Sequence, residues 1–185
     1  MGIAALTRRA VFLDRDGVLN RALVREGLPY PPHCAEEVEI LPGVAGALAD
    51  LRRAGFLLLV VTNQPDIARG TLAADMLGKI HAHLRTELPL DGICVCPHDD
   101  ADRCACRKPQ PGMLLAAAQE WSVDLPASFM VGDRWRDIEA GRRAGCTTVL
   151  VDYGYREKLY SEPDKRVASL REAATWILGG GMSGP

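Results

Sequence analysis

Short apolar runs alternate along the chain with longer amphipathic stretches. The apolar runs predict buried strands at residues 11–13, 56–61, 92–96, 128–133 and 147–152. The amphipathic stretches predict helices at about residues 44–54, 72–87, 112–121, 136–144 and 167–178. Strands that alternate with helices usually pair in parallel, so we expect an α/β fold with one doubly wound, Rossmann-like sheet flanked by helices.

The whole chain of 185 residues is expected to form one domain, because its length suits a single core and no linker divides it. That core is predicted over about residues 10–178, and the glycine-rich end at residues 179–185 is expected to be flexible. Residues 20–42 contain several prolines and form a long connection. Connections of this length are usually either functional lids or disordered.

The charge of the chain is close to balance, with a formal net charge of −2. This balance provides no positive field to attract nucleic acid or an anionic membrane. No apolar run approaches the length of a bilayer span, the first residues lack the apolar region of a secretory signal, and Leu6 breaks a myristoylation pattern. We therefore expect a cytoplasmic protein, monomeric by default, that binds neither nucleic acid nor membranes.

Polar residues stand at the ends of three predicted strands. Asp14 and Asp16 follow the first strand, Thr62 follows the second, and Asp133 ends the fourth. The carboxyl ends of parallel strands are where doubly wound folds bind ligands, and oxygen ligands suit Mg²⁺. With Lys108 as a balancing charge, the set fits phosphoryl transfer to an aspartate. The alternative is an ordinary solvated turn, in which Asp and Gly are common.

Four potential metal ligands crowd into one short segment: Cys96, His98, Cys104 and Cys106. Residues two apart in extended backbone point the same way, so the two pairs can close a Cys₃His site of the kind that holds structural zinc. We expect this zinc to pin the loop that carries Arg107 and Lys108. The remaining cysteines are predicted to lie in the core, for Cys94, or to be free thiols, for Cys34 and Cys146.

Four ordered motifs resemble those of the haloacid dehalogenase superfamily of phosphatases. They are Asp14-Arg-Asp-Gly-Val, Val61-Thr-Asn-Gln, Arg107-Lys-Pro, and Val131-Gly-Asp-Arg with Asp137. The similarity extends over about residues 10–152. With its Cys/His segment, the chain resembles in particular the small zinc-containing branch of the superfamily, which holds heptose 1,7-bisphosphate and histidinol-phosphate phosphatases. Many superfamily members carry a separate cap domain, but no segment here is large enough for one.

The resemblance implies a catalytic role for four matching residues. Asp14 would attack phosphorus and become an aspartyl phosphate. Asp16 would protonate the leaving oxygen and then activate the hydrolytic water. Thr62 and Lys108 would hold the oxygens of the transferred phosphoryl group.

A catalytic Mg²⁺ is implied by the same resemblance. Its ligands would be the carboxylate of Asp14, the backbone carbonyl of Asp16 and the carboxylate of Asp133, with Asp137 supporting them from outside. The helix dipole by itself also favours an acid in the first turn of a helix. Both interpretations of Asp137 therefore stay open.

Substrate-binding residues are expected at Asn20, Asn63, Gln64, Arg69, Arg107 and Arg134. Without a cap domain, residues 20–42 and the zinc loop are expected to frame the entrance to the site. The segments 67–70 and 112–115 resemble the heptose bisphosphate phosphatases, and the three arginines are candidates to bind a second phosphate. Arg69 and Arg134 are alternatively solvated surface charges.

Three other functions are weighed against a heptose bisphosphate phosphatase. Histidinol phosphate carries an amine that would favour an acidic entrance, which Glu36, Glu37 and Glu39 could supply. Residues 65–66 also depart from the Ser-Gly often found there in the heptose enzymes. A phosphatase of nucleic-acid ends would need a basic track, against which the balanced charge speaks. A non-enzymatic zinc-binding interaction module leaves the acids at the strand ends unexplained.

Overall fold

The computed structural model describes residues 7–181. Its strands and helices follow in the order β1 (Ala10–Leu13), β2 (Leu23–Arg25), β3 (Leu28–Tyr30), α1 (Val44–Arg53), β4 (Leu57–Asn63), α2 (Ala74–Glu87), β5 (Gly92–Cys96), α3 (Gly112–Trp121), β6 (Phe129–Gly132), α4 (Trp135–Ala144), β7 (Thr147–Val151), β8 (Lys165–Val167) and α5 (Leu170–Leu178). Among these residues, no helix combines the length and apolar character that a bilayer span requires. Residues 182–185 of the predicted flexible end lie outside the described part, as do residues 1–6, on which the signal predictions rest.

The main sheet has six parallel strands in the order β5-β4-β1-β6-β7-β8. Strand β1 lies at its centre, where Leu13 pairs with Val60 of β4 and with Val131 of β6. The backbone N–H of Asp14 donates to the carbonyl of Val131 at 2.9 Å. The residues that follow β1, β4 and β6 therefore emerge side by side at one edge of the sheet, which is the usual ligand-binding edge of this architecture.

Both faces of the sheet are covered by helices. Val11 and Leu13 belong to a core that includes residues of α1, α2 and α5. Ala10 and Phe12 point to the opposite face and belong to a core with residues of α3 and α4. Strands buried on both faces are apolar throughout, which is why the apolar runs identified five of the six strands. The predicted doubly wound α/β fold is confirmed.

The sixth strand, β8, was not predicted, because residues 165 and 166 lie in a polar stretch of the sequence and the last helix was predicted from about residue 167. In the structure Val167 pairs with Val151 of β7 at the edge of the sheet. The helix begins at Leu170, since the hydroxyl of Ser169 accepts from the N–H of Glu172 at 3.2 Å and caps it. Charged residues are common on edge strands. Because two of the three residues of β8 are Lys165 and Arg166, the strand has no apolar run by which it could be recognised.

The long connection at residues 20–42 contains regular structure that the sequence analysis did not predict. Strands β2 and β3 form an antiparallel hairpin in which Leu23 pairs with Tyr30. Glu26 and Gly27 both have positive φ angles, of 53° and 79°, as a tight two-residue hairpin turn requires. The hairpin is held to another loop by the N–H of Arg156, which donates to the carbonyl of Gly27 at 3.4 Å.

Candidate active site

A buried lysine joins two carboxylates at the carboxyl edge of the sheet. The ammonium group of Lys108 lies 2.9 Å from Oδ1 of Asp14 and 2.6 Å from Oδ1 of Asp137. It also donates to the carbonyl of Val61, at the end of β4, at 2.8 Å. Asn63 holds the backbone of Lys108, accepting from its N–H and donating to its carbonyl, each at 3.0 Å. The lysine is therefore fixed at both ends of its side chain.

The electrostatics of this cluster follow from its burial. Burial raises the pKa of Asp14 to about 6, although Lys108 opposes the shift. Burial alone would lower the pKa of Lys108, but the carboxylates of Asp137 and Asp14 outweigh it and raise that pKa above its ordinary value. The pKa of Asp133 is raised well above its ordinary value, first by burial and then by the charge of Asp14. The single lysine does not neutralise all the acids.

Asp133 has the character of a metal ligand. Neither of its buried carboxylate oxygens accepts a hydrogen bond of normal geometry from residues 7–181. Its interaction with the hydroxyl of Tyr155 only partly offsets the effect of burial on its pKa, and a poorly satisfied buried carboxylate is costly. Carboxylate oxygens of Asp14, Asp133 and Asp137 lie within 4.8 Å of one another. A Cβ at Gly17 would overlap the Asp133 carboxylate, so the turn needs glycine there. An oxygen donor set of this kind fits Mg²⁺.

Asp16 lies beside the cluster and is held by several donors. Arg15 donates from Nη2 to its Oδ2 at 2.8 Å and from Nε to its Oδ1 at 3.1 Å. The side-chain amide of Asn20 donates to Oδ1 at 2.9 Å, and that of Gln64 donates to Oδ2 at 3.0 Å. The same Gln64 amide also donates to the hydroxyl of Thr62 at 3.0 Å. These bonds fix the direction of the Asp16 carboxylate.

The predicted substrate-binding amides therefore differ in their positions. Asn20 and Gln64 are buried, at 0% and 1% exposure, and they contact Asp16 from below the surface. Asn63 lines the cavity described below. The amide N–H groups of Asn20 and Gln64 are engaged by Asp16, whereas their amide oxygens have no hydrogen-bond partner among residues 7–181. Substrate contact by these two residues stays a prediction from the sequence.

Asp137 contacts both Lys108 and the first turn of α4. Its Oδ1 pairs with Lys108, and its Oδ2 accepts from the backbone N–H of Arg134 at 3.0 Å, at the start of α4. A Cβ at Gly132 would overlap the side chain of Asp137, so the glycine lets helix and strand approach closely. Asp137 therefore both caps α4 and holds the lysine.

A cavity of about 310 Å³ opens over these residues. Asp14, Asp16, Thr62, Lys108 and Asp133 lie among its lining residues, as do residues 28–31 of the hairpin. Four arginines also line it, namely Arg69, Arg107, Arg134 and Arg136. Each has a carboxylate partner: Asp99 for Arg69, Asp100 for Arg107 and Arg136, and Glu157 for Arg134. Arg136 was not predicted, because no motif separates it from an ordinary surface arginine of a helix.

The four predicted zinc ligands come together at the end of β5. The Sγ atoms of Cys96 and Cys106 are 3.2 Å apart, and those of Cys104 and Cys106 are 3.3 Å apart. Nδ1 of His98 lies 3.3 Å from Sγ of Cys106. Ligands about 2.3 Å from a tetrahedral zinc are separated by roughly 3.5 to 3.8 Å, so a slight expansion would admit the ion. Arg107 ties this loop to the cavity, because its Nη1 donates to the carbonyl of His98 at 3.2 Å.

Comparison with known proteins gives the family. A model of the HAD-hydrolase-like family matches residues 105–173. The D-glycero-beta-D-manno-heptose-1,7-bisphosphate 7-phosphatase of Rhodopseudomonas palustris is 38% identical over an alignment of 160 positions that covers 78% of this chain and 84% of that protein. The D-glycero-D-manno-heptose-1,7-bisphosphate 7-phosphatase of Thermosynechococcus vestitus is 35% identical, over 93% of this chain and 96% of that protein. The chain belongs to the HAD-like phosphatases. The predicted superfamily resemblance is confirmed.

The fold of this HAD-like phosphatase is shared with a solved heptose enzyme. The D,D-heptose 1,7-bisphosphate phosphatase of Bordetella bronchiseptica superimposes with a TM-score of 0.77 and 32% sequence identity, covering 93% of this chain and 99% of that one. That structure is a complex with magnesium and phosphate. The match covers 99% of the Bordetella enzyme, and 84% and 96% of the two sequence relatives named above.

Proposed function

We propose that this HAD-like phosphatase is a Mg²⁺-dependent phosphomonoesterase that works through an aspartyl phosphate and removes the 7-phosphate of D-glycero-D-manno-heptose 1,7-bisphosphate. The observation that carries the proposal is the contact of Lys108 with Asp14 beside the unsatisfied carboxylate of Asp133. The named relatives and the magnesium and phosphate in the Bordetella structure support it.

The chain's own residues divide the chemistry into two displacements at phosphorus. An oxygen of Asp14 attacks the phosphorus, the bond to the sugar oxygen breaks, and Asp16 gives that oxygen a proton. Asp16 then takes a proton from water, whose oxygen attacks the same phosphorus and releases Asp14 and inorganic phosphate. Lys108 and Thr62 stabilise the phosphoryl oxygens.

Two metal ions have separate places in this scheme. Asp14 and Asp133 would hold Mg²⁺, which supplies positive charge for the phosphoryl oxygens and relieves the repulsion between the acids. Cys96, His98, Cys104 and Cys106 would hold zinc, which leaves no ligand position open and so acts structurally. Burial raises the pKa of the Cys96 thiol to about 12, and binding of the ion would supply the charge that its thiolate needs.

The rim of the cavity suits a substrate with a second anionic group. Arg69, Arg107 and Arg136 lie on the side of the zinc loop, and each is paired with an acid that a phosphate could replace. Asn63 lines the same cavity. We assign the binding of the second phosphate to these three arginines. Arg134, which pairs with Glu157, is a further candidate.

Histidinol phosphate is the weaker alternative. The acids expected to attract its amine are engaged elsewhere: Glu39 pairs with Arg21 at 2.8 Å, and Glu37 accepts from the N–H of His33 at 2.8 Å. In the described part of the chain, neither these two nor Glu36 lies among the residues that line the cavity. The monomeric state, the cytoplasmic location and the exclusion of nucleic acid and membranes stay predictions from the sequence.

The test is phosphate release by the zinc-loaded protein with Mg²⁺ on heptose 1,7-bisphosphate, histidinol phosphate and fructose 1,6-bisphosphate, with Asp14→Asn as the blank. We expect kcat/KM to be highest for the heptose. A higher value for histidinol phosphate would keep the catalytic residues and replace the substrate. Activity retained by Asp14→Asn would overturn the mechanism.

A further inference from the structure

The guanidinium of Arg15 lies between Asp16 and a histidine that no step above uses. Arg15 is buried, at 0% exposure. While its Nε and Nη2 face Asp16, its Nη1 lies 3.2 Å from Nε2 of His81. Leaving the N–H groups of a buried guanidinium without partners is costly. His81 therefore satisfies the end of Arg15 that Asp16 does not reach.

The ionisation of His81 suits it to this contact. His81 lies on α2 next to the buried residue Ile80 and before the buried residue Leu84. Burial, together with the charge of Arg15, lowers the pKa of His81 to about 4. The imidazole is therefore neutral near pH 7, and its Nε2 can accept a hydrogen bond from Arg15 when the proton is on Nδ1.

We propose that His81 is a positioning residue for Asp16 and acts through Arg15. The inference rests on the proposed function, since it concerns Asp16 as the acid and base. The guanidinium is a rigid plane with donors in fixed directions. Accepting from Nη1, His81 sets the rotation of that plane, and the opposite edge then sets the direction of the Asp16 carboxylate.

The size of the expected effect follows from the other bonds to Asp16. Asn20 and Gln64 also donate to this carboxylate, so loss of His81 would tilt it without releasing it. Removal of a group that orients a catalytic ligand commonly costs ten- to a hundredfold. With two other donors remaining, we expect a loss near the lower end of this range.

Two substrates with different leaving groups can distinguish positioning of Asp16 from a general structural role of His81. In the first displacement the sugar oxygen needs the proton of Asp16, whereas p-nitrophenolate leaves readily without a proton. Because kcat/KM covers the steps through departure of the leaving group, misplacement of Asp16 should reduce it for a sugar phosphate more than for p-nitrophenyl phosphate. A distorted active site would reduce both alike.

The experiment compares His81→Leu, which removes the acceptor, with His81→Gln, whose amide oxygen can still accept from Arg15. We expect His81→Leu to lower kcat/KM about tenfold on fructose or heptose bisphosphate and less than about threefold on p-nitrophenyl phosphate. His81→Gln should stay within about threefold of the unchanged protein on both. His83→Ala is the control, because residues two apart on a helix point in different directions.

Asp16→Asn serves as the reference for the proposed function. If Asp16→Asn does not lower kcat/KM more for the sugar phosphate than for p-nitrophenyl phosphate, Asp16 is not the acid. The proposed mechanism and the role of His81 then fail together. Suppose that Asp16→Asn does lower kcat/KM more for the sugar phosphate. If His81→Leu then has the kcat/KM of the unchanged protein, or loses kcat/KM equally on both substrates, only the role of His81 is overturned. Failure of His81→Gln to restore selectivity would also overturn it. Thermal unfolding of each variant checks that the compared proteins are folded.

Discussion

The two candidate metal sites of this phosphatase are built in opposite ways. The Cys/His site draws all its ligands from residues 96–106, at the end of one strand. The carboxylate site draws Asp14, Asp133 and Asp137 from different parts of the chain, at the ends of two strands and the start of a helix. One site depends on a loop, and the other depends on the sheet.

This difference determines how much each site should depend on its ion. The carboxylates are held by parallel pairing of β1 with β6 and by a charge of the protein itself, since Lys108 lies within 3 Å of two of them. Of the four Cys/His ligands, Cys96 ends strand β5, whereas His98, Cys104 and Cys106 lie on the loop that follows it. We infer that the sheet maintains the carboxylate site without Mg²⁺, whereas the loop needs zinc to keep Arg107 and Lys108 in place.

The largest expected effect comes from removing the nucleophile on the side of the sheet. Asp14→Asn should lower phosphate release by about 10⁴-fold or more, because an amide oxygen is a poor nucleophile. The change removes one of the two carboxylate partners of Lys108, but it also removes a charge whose burial raises its pKa, so the free energy of unfolding should fall less than on loss of Asp137. The measurements are phosphate release, thermal unfolding and zinc content. The zinc content should be unchanged.

Loss of zinc should have the next largest effect. Cys104→Ser, or chelation of the ion, should reduce kcat/KM by about ten- to a hundredfold through displacement of Arg107 and of the loop backbone that leads to Lys108, and the melting temperature should fall. Cys34→Ser is the matched control, because Cys34 is a free thiol outside the cluster. Purified protein without zinc, combined with a harmless Cys104→Ser, would contradict the assignment of this site.

Asp137→Asn tests how far the buried ammonium group of Lys108 depends on its carboxylate partners. Breaking a buried ion pair leaves Lys108 with one carboxylate, so the free energy of unfolding should fall by about 3 kcal/mol. Urea unfolding measures the change. The control is Asp75→Asn, which removes the exposed pair with Lys79 and should change the free energy of unfolding by less than about 1 kcal/mol. Equal effects in both variants would show that Lys108 does not depend on Asp137.

The smallest expected effect is a pH dependence that arises from His81. Its pKa is about 4 in the folded protein and 6.5 ordinarily, so between these values the unfolded state binds more protons. Stability should therefore fall as the pH drops from 6.5 towards 4. Relative to His81→Gln, the unchanged protein should lose about 1 kcal/mol or less, because the imidazole is partly exposed. Urea unfolding of both proteins at pH 7 and pH 5 measures this difference.

Strong local patterns made most of the fold predictable. Strands covered on both faces are apolar for their whole length, so β4 and β7 could be recognised from short segments. The missed elements lack such a pattern: β8 is charged at the edge, and the hairpin depends on positive φ angles at Glu26 and Gly27. Its exposed strands bury too little apolar surface to leave a periodic signal.

The sequence by itself determined which residues stand at the carboxyl edge of the sheet. Asp14, Thr62 and Asp133 lie at the ends of apolar runs of the kind that a parallel sheet buries on both faces, and the spacing of the cysteines and the histidine predicts the zinc site. Only the tertiary structure decided which charges are partners. The contacts of Lys108 with Asp137 and of Arg15 with His81 join segments far apart in the chain. Such pairings depend on distances of a few ångströms that no sequence spacing specifies.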